Sequence, residues 1–194
     1  SYYEEIDTNS SASARQKAQK GNYWDTFITV DLDYDKRNQR FKTTDGYRSV
    51  YSVDLPIISE NNTFTNMYRV SYYNELYDEN ISKVSLFLKG TTSLTNDDVK
   101  LSERIYLPSS MLRGFVVGKV GPKDGDDFIG GNYAAALNLS TTIPQILPNA
   151  QNLDVLMFMD VANLWGVDYD SSLSDSKPLI IGFWGIPWDD KKIL

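Results

Sequence analysis

Residues 24 to 35 alternate between apolar and polar side chains, and this period of two limits the possible folds more than any other feature. Even positions from Trp24 to Tyr34 are mostly apolar, whereas aspartates stand at four of the six odd positions from Asp25 to Asp35. Successive side chains of a β-strand point to opposite faces of its sheet. The segment is therefore predicted to be a strand with one apolar face and one polar face.

The same alternation recurs in five later segments, and runs of Asn, Asp, Gly, Pro and Ser separate them. Such runs are typical of turns, and no segment has the spacing of a convincing amphipathic helix. The sequence therefore predicts an all-β fold, an antiparallel meander of about six long strands of roughly 9–14 residues, against a usual length of about 5–6. The later segments carry their apolar residues from Tyr47 to Leu55, Phe64 to Tyr72, Val84 to Leu88, Tyr133 to Ile143 and Leu153 to Val161.

Alternation alone leaves two architectures open. A soluble β-sandwich or lipocalin-like barrel would turn the apolar face inward to a core, whereas a membrane β-barrel would turn it outward to lipid. The polar faces carry small and charged residues in nearly every predicted strand, and the strands are uniformly long. Both observations favour the membrane barrel, because its lumen holds water and its strands need about 10 alternating residues to cross the bilayer.

Composition removes most chemistry from consideration. The 194 residues include no Cys and no His, which excludes disulfides, zinc sites of Cys and His, and catalytic pairs built on either residue. The net charge of -7 argues against a nucleic-acid partner, because phosphate binding needs a basic face. We identify no catalytic residue, no metal site and no cofactor, and we expect the protein not to be an enzyme.

A long segment without any period runs from Ser109 to Asn132 and contains six glycines. Long loops of this kind are usually functional or disordered. The acidic run from Lys123 to Asp127 lacks the spacing of a calcium loop, and the glycines lack the order of a phosphate-binding loop. The segment is therefore not predicted to bind calcium or phosphate.

One cation in this segment, Arg113, has a candidate partner in the last alternating segment. Strand parity places Asp160 on the polar face, where a half-buried carboxylate needs a cation, and the planar guanidinium group suits a carboxylate best. A glycine-rich loop that carries Arg113 could reach it. The alternative, in which water solvates the two side chains separately, stays open from the pattern alone.

Four motifs stand in a fixed order along the chain. They are a strand start at Asp45, Gly46 and Arg48; a loop motif of Leu112, Arg113, Gly114 and Phe115; the loop glycines Gly121, Gly130 and Gly131 with Pro122 and Asn132; and a strand motif of Phe158, Asp160, Ala162 and Trp165. Together they resemble the motifs of the BamA family of bacterial outer-membrane β-barrel assembly factors. The resemblance covers roughly residues 1 to 176.

The resemblance implies a fold and a site. The family fold is a sixteen-stranded outer-membrane β-barrel preceded by periplasmic domains, and this chain would be a portion of the barrel. Residues 94 to 130 would be the loop that folds back into the lumen, where Arg113 would pair with Asp160 on the wall beside Phe158. A second acidic wall position of the family falls at Asn138, which can accept a hydrogen bond but carries no charge.

The resemblance also implies a function. The protein would fold and insert β-barrel proteins into the bacterial outer membrane, with unfolded outer-membrane proteins and the lipid bilayer as partners. Lipoproteins of the assembly complex would bind through regions outside this chain. The alternatives are a transporter of the same superfamily, of two-partner-secretion or translocation type, and a soluble β-sandwich binding module.

The two ends of the chain are expected to lie outside the strand pattern. Residues 1 to 22 are expected to form an extracellular loop. Residues 177 to 194 alternate poorly and Pro187 would interrupt a strand, so an atypical, truncated or frame-shifted tail is expected after a barrel portion of residues 1 to 176. The apolar run from Leu179 to Trp184 could still pair as a strand.

Overall fold

The computed structural model describes residues 2–10, 12, 14–59, 62–77, 79–144, 154–173 and 179–184. Strands account for most of these residues, and no described helix is long and apolar enough to span a membrane. In chain order the elements are β1 (Tyr2–Ile6), α1 (Ala14–Ala18), β2 (Gly21–Asp35), β3 (Gly46–Ser59), β4 (Thr63–Tyr77), β5 (Asn80–Ser93), a 3-10 turn (Leu101–Glu103), β6 (Lys123–Asp124), β7 (Asp127–Phe128), β8 (Tyr133–Ile143), β9 (Val155–Trp165), a second 3-10 turn (Ser171–Leu173) and β10 (Leu179–Trp184).

Eight of these strands form one antiparallel sheet in the order β1-β2-β3-β4-β5-β8-β9-β10, and β6 with β7 forms a separate hairpin. Six of the eight, β2 to β5 with β8 and β9, are 11–15 residues long. Each strand of this sheet pairs with the sheet's next strand in chain order, with the β6–β7 hairpin set aside, which makes it a meander. The predicted all-β meander of about six long strands is confirmed, and a long connection lies between the fourth and fifth of them.

Two shorter strands extend the sheet where the alternation did not predict a strand. The prediction of a loop over residues 1 to 22 was wrong in part, because Tyr2 to Ile6 form the strand β1, which pairs with Gly21 to Asp25 of β2. β10 pairs with β9, since its β-branched and aromatic residues favour extended backbone even without alternation. Residues 185–194, with Pro187, lie outside the described residues, and a separate tail over residues 177–194 stays a prediction.

The apolar positions of the long strands lie on an exposed face of the sheet. Leu32 is 65% exposed although it stands in the middle of an apolar row. A soluble sandwich would cover this face with a second layer, and the part of the chain described has none over it. The exposed band fits contact with lipid. Its large side chains include Trp24, Ile28, Val30, Leu32, Tyr34, Tyr47, Tyr51, Leu55, Tyr72, Val84, Leu88, Tyr133, Leu137 and Met159.

The opposite, inner face of the sheet is covered by the connection between β5 and β8, residues 94–132, which we call the return loop. The loop turns back over the strands, and Ile105 forms an antiparallel bridge with Gly131 near its end. The buried apolar cluster therefore lies between the loop and the inner face. It comprises Phe87, Ala134, Ala136, Ala162 and Leu164 of the strands and Ile105, Leu107, Met111, Leu112 and Val120 of the loop.

We expect the two faces to respond oppositely to an introduced charge. Val30 is 46% exposed on the apolar face, whereas the Ser52 hydroxyl donates to Asp31 on the inner face. In the full-length protein, Val30→Lys should lower the free energy of unfolding from lipid vesicles by about 2–4 kcal/mol, because a lysine at the bilayer midplane is poorly solvated. Ser52→Lys should cost far less, because Asp31 and water can solvate the ammonium. Urea titration followed by tryptophan fluorescence measures both, and equal losses would contradict the lipid assignment.

Candidate functional site

Asp160 is the buried acid around which the candidate site forms. It lies in β9 directly opposite Asn138 of β8, at an inner-face position, while the adjacent Met159 is exposed on the other face. The exposed fraction of Asp160 is 0%, so bulk water does not solvate its carboxylate. A charge buried without partners is strongly unfavourable, and the return loop supplies those partners.

Arg113 of the return loop binds this carboxylate through three donors. Its backbone N–H donates to Asp160 Oδ2 at 2.9 Å, its Nε donates to the same oxygen at 2.8 Å, and its Nη2 donates to Oδ1 at 2.5 Å. The guanidinium carbon also lies 3.7 Å from the ring centroid of Phe158. A two-pronged ion pair with a ring stacked on the cation fixes both position and orientation. The loop and the wall are therefore joined at a defined register.

Asn138 stabilises the same carboxylate, but in another way than the sequence interpretation allowed. Its amide nitrogen donates to Asp160 Oδ1 at 2.8 Å and to the carbonyl oxygen of Met111 at 2.9 Å. The sequence interpretation treated Asn138 as a hydrogen-bond acceptor, whereas its side chain is the donor in both contacts. An ionised carboxylate at position 138 could make neither contact, so the amide suits a wall that already carries one buried charge.

The other residues of the loop motif contribute packing and backbone shape. Leu112 is 2% exposed within the apolar cluster. Gly114 has a φ of +89°, which favours glycine, and no atom lies within 4 Å of the position of an added Cβ. Gly114 therefore serves the turn of the backbone, and the space around it is open. Phe115 is 37% exposed, and the ring on Arg113 is that of Phe158.

The remaining loop glycines bring the backbone close to its neighbours. An added Cβ on Gly121 would lie 2.6 Å from Leu164 Cδ2, and one on Gly131 would lie 2.6 Å from the carbonyl oxygen of Trp165. A Cβ on Gly130 would lie 2.8 Å from the carbonyl oxygen of Ile105. Side chains at these three positions would push the loop away from β9 or distort the Ile105 bridge, because close-packed interiors do not absorb such overlaps.

A second ion pair, which sequence reasoning missed, joins the first part of the return loop to β2. Lys100 Nζ lies 2.6 Å from Asp25 Oδ2, and the two side chains are only 1% and 4% exposed. The ammonium also lies 4.3 Å from the ring centroid of Tyr23. Charges buried this deeply are tolerated when they are paired with a charge of opposite sign. The only signal in the sequence is a lysine between the apolar residues Val99 and Leu101, and that signal is not specific.

A third ion pair, also missed, joins Arg104 of the return loop to Asp168, which follows β9. The Arg104 side chain is 0% exposed, and Asp168 also accepts a 2.6 Å hydrogen bond from the N–H of Val99. The loop is thus held near β2 by Lys100 and near β9 by Arg104 and Arg113. The sequence interpretation found only the last of these contacts.

Glu103 lies between two of the loop cations in sequence and has a different environment. Burial raises the pKa of Glu103, although a hydrogen bond from Thr63 Oγ1 and the charge of Lys100 act in the opposite direction. An acid whose folded-state pKa is raised stabilises the folded state below its ordinary pKa, and that contribution is lost as pH rises through the raised value. Protonation of Glu103 on mild acidification therefore stabilises the docked loop.

The described contacts of the site hold the return loop against the wall. All three ion pairs set a carboxyl group against a Lys or Arg side chain, and none contains a nucleophile beside a general base. Within the residues described, no group of three or more acidic side chains could hold a metal ion. The three ion pairs fix the return loop to the inner wall at three places.

Comparison with known proteins gives the family of the chain. Residues 1–186 match the family model of the Omp85 superfamily domain, a match that extends beyond β10. The crystal structure of BamA from Haemophilus ducreyi lacking POTRA domains 1-3 has the same fold, with a TM-score of 0.71 and 21% sequence identity. That similarity covers 96% of this chain and 43% of the BamA chain, so the chain spans less than half the length of this relative. None of the curated proteins compared with the sequence matches it.

The first prediction from the site concerns the shape of the Arg113 side chain. Arg113→Lys keeps the charge but loses the two-pronged contact and the planar stacking on Phe158, which should weaken docking by about 1.5–3 kcal/mol. In the full-length protein, trypsin should cut the return loop at Lys119 and Lys123 several-fold faster. The control Lys123→Arg makes the opposite replacement at a position outside the site and should leave the cleavage rate unchanged. Equal cleavage rates in the two variants would contradict the contact of Arg113 with Asp160.

The second prediction concerns the enclosed pair of Lys100 and Asp25. Lys100→Met alone should destabilise loop docking by about 3–5 kcal/mol, because it removes the cation that faces the buried Asp25 carboxylate. Adding Asp25→Leu should recover much of that loss. Hydrogen exchange of the amides around Lys100 measures the effect. The control is Lys20→Met, which removes the exposed pair of Lys20 with Asp7 and should change little, since water screens such pairs.

Proposed function

The chain belongs to the Omp85 superfamily, and on that premise we propose that it is part of a factor that folds and inserts β-barrel proteins into the bacterial outer membrane. The coarser description, an outer-membrane protein of an insertion or transport family, follows from the superfamily and the shared barrel fold. The finer assignment, assembly of other barrels, is the proposal. The likeness to the BamA barrel and the build of the return loop support it.

The observation that carries the proposal is the return loop held on the inner wall. A passive pore needs an open lumen, whereas this chain covers the inner face of β5, β8 and β9 with a packed segment. That segment has ion pairs to β2, to β9 and to the residue Asp168 after β9. These ion pairs hold the loop firmly against the strands. They favour a role in which this part of the wall keeps its shape while another part of the barrel opens.

We infer a mechanical role for the loop. Insertion of a client strand requires a strand edge at which its backbone groups can pair, because unpaired N–H and C=O groups are costly in lipid. A barrel that opens such an edge loses part of its closure. A rigid segment of wall, supported from inside by the return loop, would keep the rest of the sheet curved during that opening.

The partners follow from the same proposal. Unfolded outer-membrane proteins would be the clients, and the lipid bilayer would contact the exposed apolar face that carries Leu32 and Val30. Lipoproteins of the assembly complex would bind regions of the protein outside this chain. No step of insertion requires an enzyme or a cofactor, since strand pairing and burial in lipid supply the free energy.

The test is Arg113→Ala in the full-length protein. The variant should lower the steady-state level of several outer-membrane barrel proteins, while the matched control Lys119→Ala, a cation of the same loop outside the site, should not. Protease sensitivity of the loop should rise only in the first variant. Normal barrel levels together with impaired export of a secreted partner would instead favour a transporter of the same superfamily.

A further inference from the structure

A cavity on the inner face is lined by cations, and we propose that it binds an acidic segment of polypeptide. The cavity has a volume of about 600 Å³ and lies between the strands and residues Ser110 and Met111 of the return loop. No carboxylate lines it in the described part of the chain, although the net charge of the sequence is -7. The lining cations are Arg37, Arg48, Arg69, Lys83 and Arg113.

Three of these five cations are neutralised by carboxylates close to the cavity. Their charge is directed into ion pairs with the wall, and they contribute mainly shape and hydrogen-bond donors to the cavity. The pairs are Arg37 with Asp35 at 2.7 Å, Arg48 with Asp33 at 2.6 Å, and Arg113 with Asp160 at 2.5 Å.

The other two cations, Arg69 and Lys83, are held by aromatic rings. The guanidinium carbon of Arg69 lies 5.4 Å from the ring centroid of Phe87, and Lys83 Nζ lies 5.4 Å from that of Tyr73. Each ring belongs to the residue directly opposite on the neighbouring strand. A cation–π contact orients a cation without neutralising it. Both charges are therefore positioned at the cavity and available to an anion.

The spacing of the two cations fits an extended peptide. Arg69 and Lys83 lie on neighbouring strands four residues apart in register, which is about 13 Å along the strand direction. Between them the hydroxyl groups of Ser71 and Ser85 form a 2.8 Å hydrogen bond. Carboxylates four residues apart on an extended chain are separated by the same distance of about 13 Å. A single phosphate group could reach only one of the two cations.

The position of the cavity excludes membrane phosphates as the ligand. Arg69 and Lys83 stand at inner-face positions, whereas Tyr72 of the same strand as Arg69 and Val84, which follows Lys83, are exposed on the opposite, apolar face. An acidic polypeptide can enter from the lumen. This inference goes beyond the proposed function, because the cavity would bind such a segment whether or not the protein inserts clients.

The experiment measures binding of a fluorescein-labelled peptide to the full-length protein in detergent at low ionic strength. The probe is an extended peptide with two glutamates four residues apart, and its partner has glutamines in their place. Fluorescence anisotropy should show tighter binding of the glutamate peptide, weakened by added salt. Arg69→Gln with Lys83→Gln should lower the affinity about tenfold, because two partly exposed charge contacts are lost.

The matched control is Arg40→Gln with Lys123→Gln, which removes the same charge outside the cavity. Lys123 also lies against a ring, 4.4 Å from the centroid of Phe128, so the control matches the kind of contact as well. The charge-conserving exchange Arg69→Lys with Lys83→Arg should retain binding, which separates loss of charge from loss of folding. Equal weakening by the two glutamine pairs would overturn the proposal. The proposal would also be overturned if the unaltered protein did not bind the glutamate peptide, for example because acidic residues of the protein itself occupy the cavity.

Discussion

The arrangement of wall and loop depends on the buried carboxylate of Asp160. Its exposed fraction is 0%, and it accepts hydrogen bonds from the N–H, Nε and Nη2 of Arg113 and from the amide of Asn138. A buried charge is tolerated only when it is paired and its lone pairs are satisfied. Without the loop the wall would hold an unpaired acid, and without the wall the loop arginine would be solvated by water.

The same dependence explains why burial in this sheet is inverted. The apolar rows of the strands are left to lipid, so the chain obtains its core from the opposite face, where small residues such as Ala134, Ala136 and Ala162 leave room for loop side chains. Leu112 and Ile129, at 2% and 0% exposure, are loop residues, although loops usually lie at the surface. The return loop thus does for the inner face what a second sheet does in a sandwich.

Much of the fold was predictable because a period of two determines a strand whatever covers its faces. The same period cannot tell which face is buried, since sandwiches and membrane barrels alternate alike. Parity placed Asp160 on the polar face, and the resemblance to a known family made Arg113 its expected partner, a pairing that the pattern alone left open. The ion pairs of Lys100 and Arg104 were not predicted, because a lone cation in a loop is usually solvated by water. Their partners, Asp25 and Asp168, depend on how the loop folds back over the sheet, and no local sequence pattern encodes that path. Asn138 lies beside Asp160, and the direction of its hydrogen bonds depends on the backbone carbonyl of Met111, which the sequence does not place.

The two distant attachments of the return loop also determine a shape. Lys100 holds the loop at β2 and Arg113 holds it at β9, strands that are five intervals apart, or about 24 Å across the sheet. The segment between them is packed through Leu107 and Leu112, so it acts as a stiff chord across an arc. Flattening the sheet would have to stretch that chord or break one of its end contacts. The two ion pairs therefore oppose flattening of this part of the sheet, and loss of the charge at either end would remove that restraint while the strands stay paired.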